Sequence, residues 1–216
     1  VIIHEVGHNF FPMIINSDER QWTWMDEGLN TFVQYLTEKE FDRNYPTRRG
    51  RARDIRNYMG GDKSRISPIM TNSESIYQFG NNAYGKPATA LNILRETVMG
   101  RELFDYAFKE YSRRWAFKHP SPADFFRTME DASGVDLDWF WRGWFYTTDH
   151  VDIAMEEVNW YQIDTQNPEV EAAFNREQDQ AEPSDISLMR DDEFIPRTYI
   201  EEDVSLNDFY TTTDPY

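Results

Sequence analysis

Two histidines four residues apart, in His4-Glu5-Val6-Gly7-His8, constrain this chain more than any other feature of it. On a helix they lie on one face about one turn apart, which lets both imidazoles reach a single tetrahedral metal, with zinc the expected ion. Glu5 is rotated roughly 100° about the helix axis from His4, so it misses the metal and addresses a water at the open coordination position. That makes Glu5 the candidate general base. Two neutral imidazoles and one carboxylate form a known catalytic zinc set, and Glu27 in Trp24-Met25-Asp26-Glu27-Gly28-Leu29-Asn30 is the best-placed carboxylate donor. A layout with a third histidine at the end of His-x-x-Gly-x-x-His fails here, because Phe11 holds the glycine slot and Ile14 the histidine slot. The third ligand is therefore read as acidic. Val1, Ile2 and Ile3 before the motif, with Phe10, Phe11, Met13, Ile14 and Ile15 after it, predict a buried helix in an active-site wall.

These residues resemble the gluzincin metallopeptidases of the aminopeptidase N type, whose signature is His-Glu-x-x-His, eighteen residues, then Glu within Trp-Leu-Asn-Glu-Gly. The second half here reads Trp24-Met25-Asp26-Glu27-Gly28, with Met for Leu and Asp for Asn, which adds one negative charge beside the ligand. Asp26 has two readings: an acceptor for a ligating imidazole, or a cap for the helix that follows. The family also carries a Tyr-x-Lys-Gly element that opens a helix, and its tyrosine hydroxyl stabilises the oxyanion of the tetrahedral intermediate. Tyr84-Gly85-Lys86-Pro87 matches that element 57 residues after Glu27, with Pro87 in the glycine slot. Proline is acceptable in a first helical turn. The resemblance thus implies one Zn2+ per chain held by His4, His8 and Glu27, catalytic roles for Glu5 and Tyr84, and a peptide or protein substrate.

Along the chain, Pro12 predicts a kink or an end to the motif helix, since it has no amide to bond back to His8. Leu29, Phe32, Val33 and Leu36 form one helical stripe behind Glu27. Arg43, Arg48, Arg49, Arg51, Arg53 and Arg56 gather in a segment that reads either as a solvated arm or as a partner for the acidic tail or an acidic substrate. From Pro87 onward the period is helical: Leu91, Leu94 and Val98, then Leu103, Phe104, Ala107, Phe108, Tyr111 and Trp115, then a helix capped by Ser121-Pro122. Leu137, Phe140, Trp141, Trp144 and Phe145 read as core aromatics, and His119 and His150 fit no metal spacing. At Val151 the pattern turns to alternation, which predicts one or two strands.

The expected fold is mainly α. Residues 1–149 form the helical half of a thermolysin-like catalytic domain with its amino-terminal part missing, and residues 150–216 open a β unit that passes into an acidic linker or insertion. The start at Val1, three residues before the first ligand, reads as a fragment. The family's amino-terminal β domain and its Gly-x-Met-Glu-Asn element, which holds a substrate's free amine, would lie upstream. A net charge of −17 argues against a nucleic-acid partner, which needs a basic face, and no apolar run approaches a membrane span. The absence of cysteine leaves no disulfide framework or thiol chemistry; compartment and oligomeric state are not encoded. The same zinc residues would serve an aminopeptidase or an endopeptidase. A non-catalytic peptide-binding scaffold and a purely structural helical protein are the remaining readings.

Overall fold

The helical stripes of the sequence fold as helices whose apolar sides share one core. A computed structural model describes residues 1–150, 156–157, 159, 164–181 and 185–207. Helix α1 spans Ile2–Gly7, and the chain leaves helical geometry at Phe11, before Pro12. A wide π turn, Trp24–Gly28, feeds α2, Leu29–Phe41. A second wide turn, Gly80–Gly85, feeds α3, Lys86–Ile93, with Pro87 in its first turn. Helix α4, Arg101–Trp115, packs along α5, Pro122–Ser133, and the short α6, Asp138–Trp141, follows. Among the described residues there is no strand.

Local chemistry explains the boundaries. Ser121 accepts from the Asp124 amide while the Asp124 carboxylate accepts from the Ser121 amide, a reciprocal cap with Pro122 at the first helical position. Phe32, Phe104, Phe125, Phe140, Phe145, Leu91 and Leu94 are fully buried, so the aromatic stripes are core. Trp24 is 1% exposed and lies among Phe125, Phe126 and Phe145 at ring-centroid distances of 5.6, 5.8 and 4.8 Å. The segment that carries Glu27 is therefore rooted in the core three residues upstream of its carboxylate.

Two expectations need correction. Helix α1 has no buried residue, and Ile2, Val6, Phe10 and Met13 are exposed; only Phe11, Pro12 and Ile15 near the motif are buried. The helix packs on α2 through its His4 and Gly7 side, and the apolar residues around the motif mostly face the other way. In the tail, Val151 to Met155, Val158 and Trp160, whose alternation predicts strands, lie outside the described residues. Farther on, the acidic segment is helical where short strand and linker are expected: α7, Pro168–Gln180, and α8, Ile186–Phe194. Asn167 and Asp185 cap these helices by accepting from the amides of Glu169 and Ser187.

Helix α8 is held by charge. Arg101, 6% exposed, donates to Glu96 and to Asp191, with nitrogen to oxygen distances of 2.8 and 2.9 Å. Arg190 closes on Glu96 at 3.0 Å, and Asn92 donates to the Ser187 hydroxyl at 3.1 Å. The arginine-rich segment divides its tasks. Arg43 reaches Asp192 at 2.7 Å and the Ile195 carbonyl at 2.8 Å, Arg51 pairs locally with Asp54 at 3.1 Å, and Arg49 lies over the Tyr84 ring, 4.6 Å from its centroid.

Candidate metal centre

Two side-chain contacts bring α1 onto α2. Asn30 donates to the backbone carbonyl of His4 at 2.8 Å, and a Cβ on Gly7 would stand 2.1 Å from the Asn30 Oδ1. Gly7 inside the His-Glu-x-x-His motif thus leaves the space that Asn30 fills. The third element arrives as closely. A Cβ on Gly28 would lie 2.7 Å from Pro87 Cγ and 3.1 Å from the Ala83 carbonyl, so the residue after Glu27 is in contact with the turn that bears Tyr84. Pro87 therefore keeps the register of the helix start and packs on the segment that carries Glu27.

With α1 and α2 so placed, three donor atoms converge. His4 Nε2 is 3.1 Å from Glu27 Oε2, His8 Nε2 is 3.4 Å from the same oxygen, and the two Nε2 atoms are 3.2 Å apart. Three ligands of a tetrahedral ion bound at ordinary zinc distances stand ~3.3 Å from one another. The second nitrogen of each ring is occupied. His8 Nδ1 donates to the Phe11 carbonyl at 2.8 Å, and because a carbonyl only accepts, Nδ1 carries the proton and Nε2 presents a lone pair. His4 Nδ1 lies 2.9 Å from Gln34 Oε1. Lone pairs facing a carboxylate oxygen repel one another unless a cation lies between them, and the N, N, O set suits a divalent ion.

Asp26 is not a cap, for the helix begins at Thr23 with no side-chain capping bond. Its Oδ1 lies 3.1 Å from His8 Nδ1, off the line of the N–H bond and without a hydrogen bond of its own. Burial, with Glu27's charge next in importance, pushes the Asp26 carboxyl up to about 7 against the pull of His8. Tyr84 stacks on His4 with ring centroids 5.9 Å apart, and Phe79 borders its ring. Burial, with Glu27 facing it, pushes the phenol above its usual range, so it stays a donor at neutral pH. Glu5 stays exposed on α1, next to His4 in the chain, and among the described residues its carboxylate forms no hydrogen bond or ion pair. His119 and His150 are exposed, and His150 Nδ1 lies 3.4 Å from the Lys63 amine, remote from this cluster.

Residues 1–144 match the family model described as the peptidase family M1 domain. Glutamyl aminopeptidase of Sus scrofa is 26% identical over 143 residues, which cover 63% of this chain and 15% of that protein. Probable aminopeptidase 1 of Sulfurisphaera tokodaii is 24% identical over 172 residues, 75% of this chain and 22% of the relative. The alanine/arginine aminopeptidase of Saccharomyces cerevisiae is 24% identical over 143 residues, 63% of this chain and 17% of the relative. The match thus spans less than a quarter of each of these relatives.

Proposed function

This chain belongs to peptidase family M1, and on that footing we propose that it carries the zinc site of a peptidase that hydrolyses peptide bonds, in the aminopeptidase manner its relatives' names describe. The observation that carries the reading is the meeting of His4 Nε2, His8 Nε2 and Glu27 Oε2 within 3.1–3.4 Å of one another. In this reading those three side chains hold the ion. Zinc, when bound, acidifies a water molecule and polarises the scissile carbonyl. Glu5, unencumbered on the exposed side of α1, takes the proton of the attacking water and later delivers it to the departing amine. Tyr84 donates its hydroxyl proton in a hydrogen bond to the carbonyl oxygen as negative charge develops there. The Phe11 carbonyl beside His8 and Gln34 beside His4 orient the two imidazoles from behind.

The experiment is metal analysis of the purified protein together with hydrolysis of aminoacyl and peptide reporters, for the native sequence and for Glu5→Gln. One zinc per chain in both, with turnover lower by ~10²–10⁴-fold in Glu5→Gln, is the expected result. Full turnover in Glu5→Gln would remove Glu5 as the base, and absence of bound metal in the native protein would remove the whole scheme. Reporters with free and with blocked amino termini separate the two classes of peptidase. Cleavage of the free ones alone is expected of an aminopeptidase.

A further inference from the structure

Glu38 is 6% exposed on α2, and among the described residues no arginine or lysine pairs with it. Its neighbour Lys39 turns away and donates to the carbonyls of Arg43 and Tyr45. The one side-chain partner found for Glu38 is Gln34, whose Nε2 donates to Glu38 Oε1 at 2.6 Å. Burying a carboxylate without a counter-ion costs stability, and an amide returns only part of that cost.

The geometry next to it gives Glu38 a role. A side-chain amide has a donor end and an acceptor end, and in isolation either can face a neighbouring imidazole. Glu38 removes that freedom, because its carboxylate only accepts and so holds the Gln34 nitrogen toward itself. The Gln34 oxygen then faces His4 Nδ1 at 2.9 Å, Nδ1 must carry the proton, and Nε2 is left with the lone pair that points at Glu27 and His8. On His8 a backbone carbonyl does this task and cannot rotate out of it; on His4 the equivalent acceptor is an amide that can flip. We propose that Glu38 is a positioning residue for the metal centre, acting through Gln34 to fix the tautomer and angle of His4 while touching neither metal nor substrate. The inference rests on the zinc reading above and extends it one side chain outward.

The test is zinc affinity, measured by chelator competition on the full protein, with the visible absorption of the cobalt-substituted form as a second readout. The variants are Glu38→Met, Glu38→Gln, Gln34→Met and the double Gln34→Met/Glu38→Met. Loss of an outer hydrogen-bond partner typically weakens metal binding ~10–100-fold. Gln34→Met is expected in that range and Glu38→Met at its lower edge, with an altered cobalt spectrum in each. Glu38→Gln, whose amide can donate as well as accept, gives Gln34 back both orientations, and it should fall between the native protein and Glu38→Met in affinity with a changed cobalt spectrum. The double variant should bind no more weakly than Gln34→Met alone, because Glu38 has no route to the metal except through Gln34. Unchanged affinity and spectrum in Glu38→Met, or losses that multiply in the double variant, overturn the proposal while leaving the zinc reading intact. A native protein that binds no zinc defeats both. Should Glu38→Met not fold, Glu38→Gln decides: affinity and cobalt spectrum both unchanged in that variant overturn the proposal.

Discussion

Lys86 stands two residues after Tyr84, 1% exposed, and its amine has no hydrogen-bond partner among the described residues. Burial first, and the nearby charge of Lys63 second, depress it from 10.5 to about 8. Between those two values the unfolded chain holds the proton and the folded one has released it, so stability rises with pH across that window. Below about 8 the cost of the buried charge is fully present. Lys86→Met keeps the length and apolar stem, and it should raise the melting temperature at neutral pH and flatten the alkaline rise. Melting curves taken at several pH values read both effects, and an unchanged slope would show that Lys86 is not the group responsible. At this scale the sequence is explicit about residue types and silent about partners. His4, His8 and Glu27 are found by spacing, whereas Gln34, Glu38 and Asn30 acquire their roles only when α1 crosses α2, a contact between residues some thirty positions apart.

The contact of the Trp24–Gly28 turn with the start of α3 sets the distance between Glu27 and Tyr84. Alanine is a better helix residue than glycine by ~1 kcal/mol, so at an open position Gly28→Ala would stabilise the protein. Here the added methyl meets Pro87 at 2.7 Å and a backbone carbonyl at 3.1 Å, both on a stiff element. The expected sign is therefore reversed: a loss of ~1–3 kcal/mol in chemical denaturation, accompanied by reduced turnover as Tyr84 is moved away from the proposed metal site. A more stable Gly28→Ala would mean that the two elements are not in contact in solution. Element existence was readable for α2, α4 and α5, where apolar residues recur at helical spacing and Ser121-Pro122 marks a start. It was less readable for α7 and α8. Their start signals, the caps Asn167 and Asp185 with Pro168 at the first helical position of α7, precede helices rich in charged residues, and a reading led by apolar periodicity passes over them.

For the molecule as a whole, α8 fastens the acidic tail to the helical body through Arg101, Glu96, Asp191 and Arg190. Removing the central cation leaves the buried Asp191 carboxylate without its arginine, while Glu96 keeps Arg95 and Arg190, and a stranded buried charge is worse than one never buried. Arg101→Met is expected to cost on the order of 3 kcal/mol and to make the α8 segment cleavable by added protease, with zinc content unchanged. Loss of zinc together with the tail would instead show that the two halves of the chain act as one unit. Sequence alone offered the charge imbalance that makes such pairing sensible, and Arg43 with Asp192 is one realised case. It could not say that Arg51 turns to Asp54 and Arg49 to the Tyr84 ring, because each choice depends on which segment lies beside it.

The bed of rings beneath Trp24 has a thermodynamic consequence. Because the turn that carries Glu27 is already seated against Phe125, Phe126 and Phe145, arrival of the proposed ion need not move much apolar surface out of water. Calorimetry of metal uptake should then register a heat-capacity change near zero, the signature of a socket that is rigid before it is filled.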